Sequence, residues 1–239
     1  MDTRPASLPT ARRADRPAPP SYRRRLLGLA GLLGGLAVAA FAVDLPVALW
    51  CRSTWLPKDV RRLVDFAEAF AHATGAAALL VVVLVLDPGL RLPWPGRSAE
   101  SLPGAREFFR MIAATFSGGL VVDLVKALVE RVRPRAVDLA SLESVWSTFG
   151  SSALAAASAS RSDVASFPSG HAAVAAGFAA ALAWRYPRGA TLFAVIAVLA
   201  AAQRLVSSAH YPSDVACGAG IGLACAAVCL GGRSTAAMD

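Results

Sequence analysis

The sequence has few charged residues for its length. Only 17% of its 239 residues are Asp, Glu, Lys or Arg, whereas 56% are hydrophobic and the mean hydropathy is +0.52. A soluble domain carries about 25% charged residues, so this scarcity argues against a soluble protein and favours several membrane crossings. The net charge of +8 comes mostly from arginines at the ends of apolar segments. That distribution indicates membrane topology, and we find no nucleic-acid-binding module.

Cysteine is also scarce, with four residues in the chain. Cys217, Cys225 and Cys229 fall in one apolar segment, which predicts small buried side chains. A metal site is disfavoured because no histidine or second cluster completes a ligand set. Cys51 stands alone. We therefore expect no disulfide framework, no metal and no other cofactor.

Apolar segments long enough to cross a membrane dominate what remains. The pattern predicts an all-α polytopic membrane protein with about six transmembrane helices, the last four of which form a bundle. The predicted spans are 26–43, 66–86, 108–128, 170–185, 189–206 and 213–231. A signal peptide is the alternative for the first span, but a run of 18 uncharged residues favours an uncleaved helix.

The segments outside the spans are rich in Pro, Gly, Ser or Arg. Residues 1–25 are predicted to be a disordered cytoplasmic tail, and residues 232–239 a short C-terminal tail. Residues 87–107 and 147–166 are predicted to be loops. The span domain itself therefore covers residues 26–231.

The basic residues predict the orientation of the spans. With the N-terminus in the cytoplasm, 14 of the 24 Lys and Arg residues fall on the inner side, as the positive-inside rule favours. Three polar clusters then lie at the outer ends of spans three to six. We expect a bacterial inner-membrane protein whose active site faces the periplasm.

The first cluster combines Lys126 with Arg133 and Pro134. The two cations are seven residues apart, so a continuous helix would place them on one face, and Pro134 would end that helix. Internal pairing with Asp123 or Glu130 is the alternative for these cations. Separately, Arg131 and Arg135 would fall on other faces, where they are expected to be interfacial anchors.

The second cluster is the sequence Pro168-Ser169-Gly170-His171 at the start of span four. A helix start offers free backbone N–H groups and a partial positive charge. Gly170 allows an anion to approach the backbone closely, and Ser169 is suited to cap the helix or donate to a phosphate oxygen. A plain capped helix with an interfacial histidine is the alternative.

The third cluster brackets the turn between spans five and six. It contains Arg204, His210 and Asp214, and we expect Asp214 to accept a hydrogen bond from the His210 ring. That bond would leave the other ring nitrogen as a nucleophile. Ser213 is the predicted cap of span six. The alternative is an interfacial His–Asp pair with an arginine that reaches to the headgroups.

These three clusters resemble the signatures of the type 2 phosphatidic acid phosphatase superfamily, which shares its site with vanadium haloperoxidases. The family pattern reads K-x6-R-P, then P-S-G-H, then S-R-x5-H-x3-D. The first two signatures match at Lys126 to Pro134 and at Pro168 to His171, and the third matches at Arg204, His210 and Asp214. Gln203 departs from the pattern, because the family usually has Ser there.

The resemblance implies hydrolysis of a lipid phosphomonoester or diphosphate at the outer membrane face. It implies that His210 attacks phosphorus, that Asp214 orients His210, and that His171 acts as acid and then as base. The phosphoryl oxygens would be held by Lys126, Arg133, Ser169, Gly170 and Arg204. Two alternatives stay open: a vanadate-dependent haloperoxidase, and a non-enzymatic protein that binds or transports lipid phosphates.

Two further patterns complete the prediction. Three polar residues share one helical face at the start of span two, namely Asp65, Glu68 and His72. We favour an amphipathic helix there; the alternative is that these residues line the path by which substrate enters. Gly218 and Gly222 have the spacing that allows two helices to pack closely.

Overall fold

The computed structural model describes residues 20–53, 56–90, 103–150, 160 and 162–231. Within these ranges the regular structure is helical, with two isolated β-bridges at Arg131 and no sheet, which confirms the all-α prediction. The α-helices are α1 Pro20–Ala40, α2 Asp44–Ser53, α3 Lys58–Ala71, α4 Ala73–Leu86, α5 Pro103–Lys126, α6 Gly170–Arg185, α7 Ala190–Val206 and α8 Pro212–Leu230.

The protein is an integral membrane protein, but the described residues contain fewer full spans than predicted. Three helices are long and apolar enough to cross a membrane, namely α5, α7 and α8. The pairs α1–α2 and α3–α4 bend by 80° and 74°, and counting each pair as one span gives five. Helix α6 has 16 residues and is therefore about 24 Å long, short of the roughly 30 Å hydrocarbon layer.

Helix α6 lies at the centre of the bundle, in contact with α5, α7 and α8. Small residues allow these contacts to be close. A Cβ atom at Gly218 would lie 2.1 Å from the Ser169 carbonyl oxygen, and one at Gly222 would lie 2.2 Å from that of Ala173. The close packing predicted for the two glycines is thereby confirmed, and it joins the backbone of α8 to the first turn of α6.

The bundle has one end that is rich in arginine. Arg110 donates to the carbonyl oxygens of Cys229 and Leu230, at 3.0 and 2.7 Å. Arg185 forms an ion pair of 2.7 Å with Asp87. The ends of α4, α6 and α8 and the start of α5 therefore meet there, and the three polar clusters lie at the opposite end.

Helices α3 and α4 replace the single straight span predicted at 66–86. The break falls at His72, and α3 is amphipathic as predicted. Its buried residues are Val64, Ala67, Phe70 and Ala71. The bend occurs because α3 packs on α7 across the end of the bundle, whereas α4 runs along it to the arginine-rich end.

Two helix starts differ from the predictions. Helix α1 begins at Pro20, so residues 20–25 are helical, and the Tyr22 hydroxyl donates to the Ala180 carbonyl at 2.7 Å. Helix α5 begins at Pro103, inside the predicted loop 87–107. The predicted tails at 1–19 and 232–239, and half of the predicted loop 147–166, lie outside the described residues. The four cysteines are free and half-buried, although three of them were expected to be buried.

Candidate active site

The three polar clusters converge at one end of the bundle, as their sequence positions predict. His171 interacts electrostatically with Arg204, His210 and Lys126. Arg133 interacts with Arg204 and with Asp214 in the same way. The fold therefore brings together side chains from the end of α5, the start of α6, the end of α7 and the start of α8.

The first cluster is built differently from the prediction. Helix α5 ends at Lys126, and Arg133 lies in an extended segment, so the two cations do not share a helical face. The Arg131 and Arg133 amides donate to the carbonyls of Val164 and Asp163, at 2.8 and 2.7 Å. This pairing with a distant segment replaces the helix, and Arg133 still reaches the site from outside α5.

The start of α6 forms the second cluster. The Ala172 amide donates to the Ser169 hydroxyl at 3.4 Å, so Ser169 is the helix cap, as predicted. A Cβ atom placed on Gly170 would lie 3.8 Å from the Lys126 ammonium nitrogen. The side of Gly170 where other residues carry a side chain therefore faces the Lys126 ammonium group. A helix N-terminus beside an ammonium group is suited to bind an anion.

The orientation of His210 differs from the prediction. Its Nδ1 lies 2.7 Å from the Ser166 carbonyl oxygen and 3.7 Å from Asp214 Oδ2, so the carbonyl is the hydrogen-bond acceptor. Because a carbonyl only accepts, Nδ1 carries the proton and the neutral ring has its lone pair on Nε2. Burial lowers the pKa of His210, while the Asp214 charge acts in the opposite direction.

Asp214 is fully buried and saturated with donors. One carboxylate oxygen accepts from Arg131, and the other accepts from the Ser166 hydroxyl at 2.6 Å and the Tyr211 amide at 2.9 Å. Ser166 thus holds His210 through its carbonyl and Asp214 through its hydroxyl. Tyr211 occupies the cap position of α8 that was predicted for Ser213.

Arg131 is also fully buried, so its prediction as an interfacial anchor is wrong. It donates to Asp44 at 2.7 Å, to the Ser213 hydroxyl at 2.8 Å and to the Thr148 hydroxyl at 3.1 Å, in addition to Asp214. Its guanidinium also stacks 4.0 Å from the Tyr211 ring centroid. The error came from assuming a continuous helix, and no local sequence pattern pairs Arg131 with an aspartate 87 residues away.

Helix α3 brings Asp65, Glu68 and His72 to the site residues, a placement that the sequence did not favour. Arg204 donates to Glu68 and to its neighbour Gln203, and the Gln203 amide donates to Glu68 and Asp65 at 3.1 and 3.3 Å. His72 packs against the ring of His171. Gln203, the departure from the family pattern, therefore connects the third cluster to α3.

Two arginine side chains of the site retain capacity to bind an anion. The Nε atoms of Arg133 and Arg204 are buried and have no hydrogen-bond partner among the described residues. An unpaired buried donor is costly, and a phosphoryl oxygen is a suitable acceptor for both atoms. The arrangement combines cations, a helix N-terminus and two imidazoles, which are the groups that phosphoryl transfer requires.

The fold and site thus define an integral membrane protein with cations and histidines gathered at one end of a helical bundle. The PAP2 superfamily matches residues 107–236, and the chain belongs to this type 2 phosphatidic acid phosphatase superfamily. A lipid A 1-phosphatase of Rhizobium johnstonii is 34% identical over 200 residues, which cover 80% of this chain and 73% of the relative. A lipid A 1-phosphatase of Rhizobium etli is 27% identical over 196 residues, with 80% and 77% covered. No solved structure matches the chain significantly.

Proposed function

We propose that this protein hydrolyses a lipid phosphomonoester or diphosphate through a phosphohistidine intermediate on His210. The observation that carries this proposal is the Ser166 carbonyl on His210 Nδ1, which leaves the Nε2 lone pair free on a ring close to Lys126 and Arg133. Arg204 lies close to Arg133. A nucleophile needs a free lone pair, and the cations supply the charge that neutralises a phosphate.

In the first step, His210 Nε2 attacks phosphorus while the bond from phosphorus to the lipid oxygen breaks. His171 gives its ring proton to the leaving oxygen. Three cations, the Ser169 hydroxyl and the Gly170 amide stabilise the three equatorial oxygens. Donors of this kind contribute roughly 3–4 kcal/mol each where they are critical. The three cations are Lys126, Arg133 and Arg204.

In the second step, His171 takes a proton from water, the water oxygen attacks phosphorus, and the bond from phosphorus to His210 breaks. Asp214 lies 3.7 Å from His210 Nδ1 and stabilises the positive charge on the phosphorylated ring. Arg131 and Ser166 hold Asp214 in the buried position that this role requires.

The relatives support a lipid substrate and indicate which one to test first. Both are lipid A 1-phosphatases, and this chain covers about three quarters of each. We infer that the 1-phosphate of lipid A, a phosphate on a sugar, is the leading candidate substrate. Phosphatidic acid, phosphatidylglycerophosphate and undecaprenyl diphosphate present the same reacting group and are the comparison substrates.

An apolar groove of about 520 Å³ supports binding of the lipid chain. It lies between α1 and α7 and is lined by alanines of α6, among them Ala172 and Ala176, so it begins one residue from His171. We infer that an acyl chain of the substrate occupies this groove. Ala176→Leu would fill it and is expected to raise KM for the lipid several-fold, with no change for soluble p-nitrophenyl phosphate.

The proposed catalysis does not use a metal, because the cations of the site perform the electrostatic work.

We also propose that the N-terminus lies in the cytoplasm and the active site at the outer face. The distribution of 14 of 24 basic residues supports this orientation. Reporter fusions after residues 53 and 231 are expected to report outside and inside, respectively.

The decisive experiment measures phosphate release by the purified protein from the four lipids in the presence of chelator. We expect the wild type to release phosphate from at least one lipid and to yield a phosphohistidine that rapid quenching traps. His210→Ala should show neither phosphate release nor phosphohistidine. Full turnover by His210→Ala would overturn the mechanism. Halide oxidation with added vanadate but no phosphate release would favour the haloperoxidase instead, and lipid binding without turnover would favour a carrier.

A further inference from the structure

The chain contains three histidines, and the fold brings all of them to the site. His171 and His210 belong to the signature motifs, but His72 does not. The His72 and His171 ring centroids are 5.4 Å apart and the ring planes cross at 73°, so one ring meets the other edge-on. Edge-to-face packing is the favoured arrangement for such rings.

Local contacts orient His72 in this position. Its Nδ1 lies 2.8 Å from the Thr74 hydroxyl, and its amide donates to the Glu68 carbonyl at 2.9 Å. The residue lies at the 74° bend between α3 and α4. The corner is tight, because a Cβ atom at Gly75 would lie 2.0 Å from the Ala69 carbonyl oxygen. The backbone of His72 is therefore constrained at this corner, and its exposed side chain is oriented by the Thr74 hydroxyl and the His171 ring.

His171, by contrast, has no hydrogen bond to its ring from any described residue of the chain. It is half-buried in the first turn of α6, close to the cations Lys126 and Arg204 and to the His210 ring. A ring that must give a proton to one particular oxygen needs a defined orientation, since general acid catalysis depends on geometry. The His72 ring is the aromatic contact that supplies this constraint among the described residues.

We propose that His72 is a positioning residue of this site, whose ring packs on His171 and holds it in the orientation that gives a proton to the leaving oxygen. This inference rests on the proposed function. The proton moves from the His171 ring to the lipid oxygen as its bond to phosphorus breaks, and His72 itself exchanges no proton. Other charged groups of this region, Asp65 and Glu68 on α3, contact Gln203 and Arg204.

The test compares two leaving groups in two variants of His72. His72→Ala removes the ring, whereas His72→Phe keeps an edge-on aromatic contact without the nitrogens. For a lipid phosphate with an alcohol leaving group, we expect His72→Ala to lower kcat about tenfold and to leave KM unchanged. This loss is smaller than the loss expected when a general acid is removed altogether. His72→Phe should retain most of the rate. For p-nitrophenyl phosphate, whose leaving group needs no acid, both variants should match the wild type.

A double-mutant cycle separates positioning from a general structural effect. If His72 acts through His171, His72→Ala lowers the rate no further in a His171→Ala background. Thr74→Val should give a smaller loss in the same direction, and Arg62→Ala, an exposed change on α3, should have no effect. The proposal is overturned if His72→Ala equals the wild type, if His72→Phe is as slow as His72→Ala, or if the loss is equal for both leaving groups.

The outcomes also separate this inference from the proposed function. A wild-type protein that releases no phosphate from any lipid would overturn the phosphatase assignment itself. An active wild type whose rate is indifferent to His72 would overturn only the positioning role.

Discussion

Arg131 donates a hydrogen bond to Asp214 in the protein interior, and both side chains are fully shielded from solvent although they lie 83 residues apart. Asp44 accepts from the same guanidinium group, so one cation is paired with two buried carboxylates. Buried charges are stable only when they are paired and hydrogen-bonded. The catalytic aspartate of the proposed mechanism therefore depends on an arginine outside the signature residues.

Replacing Arg131 with Met is expected to destabilise the protein strongly. The change leaves Asp44 and Asp214 buried without their cation, which typically costs about 3–5 kcal/mol. Thermal unfolding of the purified protein in detergent measures the effect. Arg135→Met is the matched control, because the pair of Arg135 with Asp163 is partly exposed and such pairs contribute less than about 1 kcal/mol. Equal stability of the two variants would contradict the role of Arg131.

Replacing Glu68 with Gln is expected to strengthen phosphate binding. In the described structure Glu68 accepts from Arg204, so a substrate phosphoryl group competes with this carboxylate for the arginine. The Glu68→Gln substitution keeps the shape of the side chain but removes its charge, so KM and the inhibition constant for inorganic phosphate should each fall several-fold. Steady-state kinetics with phosphate as product inhibitor measure both. An unchanged inhibition constant would show that Glu68 does not compete with the anion.

Adding a methyl group at Gly218 is expected to disrupt the site. Gly→Ala within a helix usually stabilises by about 1 kcal/mol, but here the new Cβ atom would lie 2.1 Å from the Ser169 carbonyl oxygen. The start of α6 would have to move, and both stability and kcat should fall. Gly34→Ala on α1 is the control, because its Cβ atom would meet nothing within 4 Å. Comparable melting temperatures for the two variants would be the contrary result.

Phosphorylation of His210 is expected to remain fast in mildly acidic solution. Burial lowers the pKa of His210 below its ordinary value of 6.5, so the ring stays neutral and nucleophilic below that pH. The acid limb of single-turnover kinetics with p-nitrophenyl phosphate should therefore lie below pH 6.5. In Asp214→Asn the loss of the nearby negative charge should move this limb to still lower pH, while the rate falls. If the wild-type rate instead fell with acid at a pH above the ordinary histidine pKa, the role of His210 as nucleophile would be contradicted.

The sequence alone predicted the class of protein and the three polar clusters that the fold brings together. Apolar runs and basic flanks predicted an all-α membrane protein, and the helix cap at Ser169 and the close packing at Gly218 were correct. These features depend on residues within a few positions of one another or on the composition of one helix face. Such local information is present in the chain before any packing occurs.

The tertiary structure decided how the polar groups are partnered. The end of α5 at Lys126, the burial of Arg131, the Ser166 carbonyl on His210 and the placement of α3 beside Arg204 were not predicted. Each depends on contacts between residues tens of positions or more apart, and a buried charge accepts whichever partner the packing brings near. Helical spacing predicts which residues share a helix face only as far as the helix continues. Here the helix ends before Arg133, because the backbone pairs with a distant segment instead.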